Sequence, residues 1–285
     1  MTARIIRKLA DLRALHTTWR KAGETVGVVP TMGALHDGHL SLVKAAEAKC
    51  DRIIVTIFVN PRQFNSPEDL ANYPRTEDGD AAKLSALRVD VIYVPDPDQI
   101  YPEGYATSVT VAGLTDVMEG EFRPGHFEGV ATVCCKLFLQ TGADLAFLGE
   151  KDFQQLMVVR RMAQDLDVPI SVIGCATVRE PSGLAMSSRN RRLSDSGMSL
   201  AESMYPVLTG LVDDLRSGGS FGDLAPAALE ELGALGVDKV EYLDLRCVYT
   251  LQALETACRP ARLFFAAWVD GVRLIDNLAV TPLSS

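Results

Sequence analysis

The segment TVGVVPT (residues 25–31) is almost wholly apolar, and RIIVTIFV (52–59) extends the same character with β-branched residues. Such runs predict strands covered on both faces, as in a parallel sheet. Between them, LSLVKAA (40–46) predicts a helix that starts near His39. The alternation continues. LANYPRTEDGDAAKLSAL (70–87) reads as a loop and then a helix, VDVIYVP (89–95) as a strand, and ATSVTV (106–111) as another. HFEGVATVCCKLFLQTG (126–142) predicts a buried helix ending at Gly142. It is followed by strand ADLAFLG (143–149), helix DFQQLMVVRRMAQDL (152–166) and strand VPISVIGC (168–175). Strands alternating with helices predict an α/β fold with a Rossmann-like, doubly wound parallel sheet.

The pattern changes after Cys175. REPSGLAMSSRNRRLS (179–194) is a polar loop, and a long helix is expected over 195–216. SGGSFGD (217–223) reads as a flexible break before a helix over 226–235. Strands VDKVEYLDL (237–245), ARLFFAAWV (261–269) and VRLIDNLAV (272–280) follow, the last two joined by Asp270-Gly271. A strand–Asp-Gly–strand unit is a hairpin signal, so this part reads as a smaller α+β domain. The boundary falls near Thr177, giving domains 1–177 and 178–285.

Composition narrows the class. The chain has 285 residues, 47% hydrophobic and 23% charged, enough for one large or two ordinary domains with a substantial core. No apolar run approaches the ~18–20 residues that span a membrane. The first fifteen residues, MTARIIRKLADLRAL, lack a signal-peptide apolar core, and Ile5, Leu9 and Leu12 predict an ordinary first helix. The six cysteines show no CxxC or Cys/His zinc spacing. The adjacent Cys134 and Cys135 read as buried thiols acting as small hydrophobes. With a formal net charge of −9 and no long basic block, broad nucleic-acid binding is not expected. A cytoplasmic protein is expected.

Candidate chemistry gathers where the first parallel strand gives way to a helix, in MGALHDGH (32–39). Ligands of open α/β sheets bind beyond the carboxyl ends of the strands. A helix N-terminus there offers unpaired N–H groups and partial positive charge to a phosphate. His36 and His39 lie about one helical turn apart and each can donate a hydrogen bond. Gly33 eases the turn, and Gly38 lets a flat ring approach the backbone. The GK[ST] ending of a Walker loop is missing.

HDGH resembles the HIGH motif of nucleotidylyl transferases and class I aminoacyl-tRNA synthetases. The longer PTMGALHDGHLSLV, with FVNPRQF, YPRTEDGD, FRPGHFEGVATV, FLGEKDFQQL and MSSRNRRLS, resembles the pantothenate synthetase (pantoate–β-alanine ligase) family. These segments cover most of residues 25–195 in the family's order. The resemblance implies that pantoate and ATP give pantoyl adenylate and pyrophosphate, after which the amine of β-alanine displaces AMP. It implies ATP as substrate with Mg²⁺, a homodimer, and no dedicated protein metal ligands. Mg²⁺ usually keeps several waters and phosphate ligands.

The same resemblance assigns site residues. His39, His36, Lys151 and Arg189 are the catalytic candidates, with His39 as the proton donor. ATP contact is implied for Met32, Gly33, Ala34, Leu35, His36, Asp37, Gly38 and His39, and for Gly149, Glu150, Lys151 and Asp152. It is implied also for Val178, through its backbone, and for Met186, Ser187, Ser188 and Arg189, which correspond to the KMSKS-like loop. A mobile arginine loop can close over a triphosphate and exclude water, so domain 178–285 is expected to be a lid. Gln63 and Gln155 are the expected pantoate anchors, with Asn60, Met32 and Pro30. Neutral amides hold a carboxylate nucleophile without neutralising it. Arg123 and His126 in FRPGHF read as support for a loop over the pocket, and Asp78 and Asp80 as solvent-facing acids, with contact to Mg²⁺ through water as the alternative. Arg62, Leu139, Arg191 and Arg192 depart from the family's commonest string. A transferase that stops at adenylyl transfer, or a non-catalytic nucleotide sensor, would share the histidine turn but would not need the paired glutamines.

Overall fold

The computed structural model describes residues 3–281. The apolar runs form a six-stranded sheet in which every pairing is parallel. Its strands are β1 (Arg4–Ile6), β2 (Val26–Thr31), β3 (Arg52–Ile57), β4 (Val91–Tyr93), β5 (Leu145–Gly149) and β6 (Ser171–Cys175), in the order β1-β4-β3-β2-β5-β6. Val28, Val29, Ile53, Ile54 and Val55 are fully buried, which is why these strands read as continuous rather than alternating apolar runs. From β2 the sheet grows in one direction through β3 and β4, and in the other through β5 and β6. The chain therefore changes direction between β2 and β5, and a crevice for ligands opens beyond the carboxyl ends of strands at such a point. Those ends are Thr31 and Gly149, the residues that precede the histidine turn and Glu150.

By its contacts the chain divides into two units: Met1–Glu150 with Gln154–Ala176, and Lys151–Phe153 with Thr177–Ser285. The second contains an antiparallel sheet of β7 (Lys239–Cys247), β8 (Ala261–Val269) and β9 (Val272–Val280). Asp270 and Gly271 join β8 to β9 with φ of 53° and 67°, the two left-handed residues a tight hairpin needs. The helices Asp195–Arg216 and Phe221–Leu235 share a buried apolar core with Leu263, Phe265, Leu274 and Leu278 of this sheet.

Three expectations are corrected. Residues 4–6 form β1 against β4, with Ile6 buried and Ile5 exposed, and the first helix is confined to Leu9–Lys21. Residues 106–111 form no strand; the Val109 N–H donates to Thr132 Oγ1 at 2.9 Å, on the helix His126–Thr141. The helix predicted over 226–235 begins at Phe221. Glu255 caps it from a distance: its carbonyl accepts from Phe221 N–H at 2.7 Å, and its carboxylate from Gly222 N–H at 2.8 Å. Of the adjacent thiols expected to be buried, Cys134 is and Cys135 is not. All six cysteines are free, and burial pushes the Cys134 thiol up to about 12; Cys135 is only half-buried.

Candidate active site

The turn after β2 is strained and braced. Gly33 and Ala34 both lie in the left-handed region, with φ of 83° and 50°. For alanine that costs roughly 1–2 kcal/mol. The brace is Asp80, which is fully buried. Its carboxylate accepts from Ala34 N–H at 2.9 Å, Leu35 N–H at 2.8 Å and Thr76 Oγ1 at 3.0 Å. Lys83 Nζ donates to the Leu35 carbonyl at 2.5 Å. Ala34 and Leu35 are themselves buried, so they shape the turn, and their N–H groups are spent on Asp80. Asp80 is thus a structural ligand of the backbone rather than a solvent-facing acid.

The turn delivers His36 to the N-cap of the helix Asp37–Glu47. His36 Nδ1 accepts from Gly38 N–H at 3.2 Å, and His39 Nδ1 accepts from His36 N–H at 3.3 Å. This is a capping box built from two imidazoles, whose centroids lie 4.1 Å apart. A ring nitrogen that accepts from an amide cannot carry the proton, so each neutral ring is protonated at Nε2. Each Nε2–H is a donor held at the positive end of a helix. Both rings are half-buried, and Asp37 is exposed.

The amides expected to hold the acid fall into different roles. Asn60 is fully buried, and its amide is consumed inside the protein. Its Oδ1 accepts from Tyr101 OH at 2.8 Å; its Nδ2 donates to Gln63 Oε1 at 2.9 Å and to the Gly129 carbonyl at 3.0 Å. Asn60 therefore orients Gln63, whose Oε1 is taken by this bond. The Gln63 main chain is held as well: its carbonyl meets His126 Nδ1 at 2.8 Å and Arg123 Nη2 at 3.3 Å. Arg123 is paired with Glu119 at 3.3 Å. A Cβ at Gly129 would lie 2.4 Å from the Arg62 carbonyl oxygen, so only glycine lets this helix approach the Pro61–Gln63 turn. Arg62 lies 4.9 Å from the ring centroids of both Tyr101 and Tyr105, a cation–π contact. Of the adjacent glutamines, Gln154 is buried and spends its amide on Glu119 N–H and on the Leu114 and Val117 carbonyls. Gln155, like Met32 and Pro30, is half-buried.

The second unit carries the other candidates. Lys151 and Asp152 lie in the short turn Glu150–Asp152, with Lys151 Nζ 3.9 Å from Asp152 Oδ1. Arg179 forks onto Asp276 at 2.6 and 2.9 Å and donates to the Gly183 carbonyl at 2.9 Å, folding the 178–189 loop. The Val178 carbonyl accepts from Met186 N–H at 3.0 Å. Ser187 caps the turn Ser188–Arg192, its Oγ accepting from Arg189 N–H at 3.2 Å. The buried Asn190 ties that turn to the Ala185 carbonyl at 3.0 Å.

A family profile described as "Pantoate-beta-alanine ligase" matches residues 4–279. The chain belongs to the pantoate–β-alanine ligase family. The pantothenate synthetase of Ruegeria pomeroyi is 67% identical over 284 residues, covering 100% of each chain. A crystal structure of pantothenate synthetase from Thermus thermophilus superposes with a TM-score of 0.91 at 43% identity, covering 98% of this chain and 100% of that one. The pantoate–β-alanine ligase of Francisella tularensis, solved in complex with β-γ ATP and β-alanine, gives 0.83 at 35% identity, covering 97% of each. Within this pantoate–β-alanine ligase fold, Asp80, Arg123 and His126 are the residues whose part the sequence reading understates. A periodic signal exists for two of them. Asp80 lies one turn before the fully buried Leu84, and His126 one turn before the buried Val130.

Proposed function

We propose that this chain condenses pantoate with β-alanine at the expense of ATP, through an enzyme-bound pantoyl adenylate. A pantoate carboxylate oxygen attacks the α-phosphorus and pyrophosphate leaves. The β-alanine amine then attacks the acyl carbon and AMP leaves with the bonding pair. The observation that carries this reading is the reciprocal histidine cap, which spends Nδ1 of both rings on the backbone at the start of the helix that follows β2 and leaves Nε2 of each outside the cap. Charge grows on the phosphate oxygens in the first transition state, and preorganised donors act most strongly there. His39 donates to the reacting phosphate and His36 supports it. The main chain from Met32 to Gly38 shapes the nucleotide turn. Lys151 and Arg189 supply cations, Ser187 and Ser188 supply hydroxyls, and residues 178–285 act as the lid.

Pantoate is proposed to bind through Gln63 and Gln155, with Asn60 acting on Gln63 rather than on the substrate. Mg²⁺ is proposed to enter as part of MgATP, keeping phosphate and water ligands. Asp80 already spends its oxygens on Ala34, Leu35 and Thr76. A homodimer and a cytoplasmic location complete the proposal; six free thiols suit a reducing compartment. No helix among the described residues is long and apolar enough to cross a membrane.

Positional isotope exchange within ATP tests the two-step order. Exchange is expected with pantoate and Mg²⁺ and without β-alanine. Its absence from an enzyme with intact overall turnover excludes a reversible adenylate. The glutamine has its own test. Gln63→Ala is expected to weaken pantoate binding by roughly 1–3 kcal/mol, the cost of deleting a partner of a buried polar group. ATP affinity by calorimetry should stay near that of the parent enzyme. Loss of ATP affinity with pantoate affinity kept places Gln63 on the nucleotide instead.

A further inference from the structure

Strand β9 breaks its own pattern. Val272, Leu274, Leu278 and Val280 are buried on one face, yet Asn277, on the other, is buried too. A buried amide in a strand costs free energy unless its hydrogen bonds are made. Here they converge on one place. Asn277 Nδ2 donates to the Lys151 carbonyl at 2.7 Å, and Asn277 Oδ1 accepts from Arg262 Nη1. Arg262, itself buried, lies over the Phe153 ring with its guanidinium carbon 4.1 Å from the centroid. Phe264, which faces Asn277 across the β8–β9 ladder, packs on Phe153 at 6.0 Å. This face of the sheet is thus built around the three residues Lys151–Phe153, which group with the second unit although the chain on both sides of them groups with the first.

The main chain of Asn277 has a second task. Its carbonyl accepts from Arg179 Nη2 at 3.2 Å, and the neighbouring Asp276 takes the Arg179 fork. One strand position therefore holds the Lys151 backbone with its side chain and the first arginine of the 178–189 loop with its carbonyl. We propose that Asn277 is a positioning residue for Lys151, fixing the peptide plane after Lys151 and so the direction in which its ammonium group is presented. This rests on the reading that Lys151 acts on the phosphates of ATP. Packing alone would be satisfied by an apolar residue of similar volume, whereas a donor aimed at a single carbonyl serves geometry.

A double-mutant cycle tests it, read as single-turnover adenylate formation. Asn277→Ala is expected to lower that rate about tenfold, with the KM for pantoate changed less than twofold. Lys151→Ala should be slower still, and adding Asn277→Ala to it should cost little more, because the asparagine acts through the lysine. Asn277→Asp keeps the shape and the acceptor for Arg262 but removes the donor to Lys151. It should fold and still be slow, whereas a merely structural asparagine would leave the aspartate variant at the parent rate. Full additivity in the cycle, or a parent-like aspartate variant, overturns the proposal for Asn277 while leaving Lys151 on the phosphates. A Lys151→Ala enzyme that forms adenylate at the parent rate overturns the reading of Lys151, and this proposal with it.

Discussion

His39→Ala is expected to slow adenylate formation by at least ~10²-fold, the scale of losing one preorganised donor to a developing oxyanion. The structure separates two jobs of this ring. Nδ1 accepts from His36 N–H and so belongs to the helix cap, whereas Nε2–H is the donor for chemistry. Alanine removes both. Losing a cap costs about 1 kcal/mol, and in a protein of this size that lowers the melting temperature by only a few degrees. Glutamine is common at this position of a capping box. His39→Gln should therefore recover the stability and not the rate. The donor strengthens its hold as charge develops, so ATP ground-state affinity should change far less than the chemical step. Quench-flow with ATP and pantoate measures that step directly. Adenylate formed at the parent rate by either variant makes the histidine a cap and nothing more.

Much of this was written in local pattern, for physical reasons. Strands β2, β3 and β5 are covered on both faces and show as unbroken apolar runs. The Asp270-Gly271 turn shows because few residue pairs adopt two left-handed conformations in succession. What stayed hidden depends on partners far along the chain. β1 has three residues and takes its register from Val91–Tyr93, while Ile5 with Leu9 and Leu12 imitates a helix. The helix at Phe221 has Ser220 at its N-cap, but that hydroxyl bonds Glu255 rather than the helix, and Glu255 takes the first amides instead.

The site divides in the same way. His36 and His39 announce themselves because the device is local: cap, helix and donors lie within four residues. Asn60 and Gln63 look alike in sequence, and only Tyr101 and Gly129 reveal that one amide orients the other. Arg123 and His126 follow the Pro61–Gln63 turn by sixty residues, yet they hold its last carbonyl. Short loops thus present the reacting groups, and distant elements hold those loops still.

Asp80 is the extreme case, and removing it should do the most damage to the fold of the site. Asp80→Ala leaves the buried N–H groups of Ala34 and Leu35 without their acceptor. Each such loss costs about 1–3 kcal/mol. Ala34 would also lose the contact that keeps it at φ 50°, where an alanine is strained by roughly 1–2 kcal/mol. The turn should relax, the N-cap His36 should lose its place, and the paired imidazoles should separate. The expected result is a loss of about 2–6 kcal/mol from the two unpartnered amides, reduced by the roughly 1–2 kcal/mol of strain that a relaxed Ala34 gives up, together with adenylate formation as slow as in His39→Ala. Asp80→Asn keeps the volume and one acceptor but turns an amide N–H₂ toward a backbone N–H, so it should fall between the parent and the alanine variant in both measurements. Urea unfolding and quench-flow on the same three proteins give the comparison. If Asp80→Ala unfolds at the parent's midpoint and reacts at the parent's rate, the carboxylate does not hold the turn. If stability falls and the rate does not, the turn keeps its shape without it, and the strain at Ala34 must be carried by Lys83 and Thr31, which bond the same turn at the Leu35 carbonyl and the Gly33 N–H.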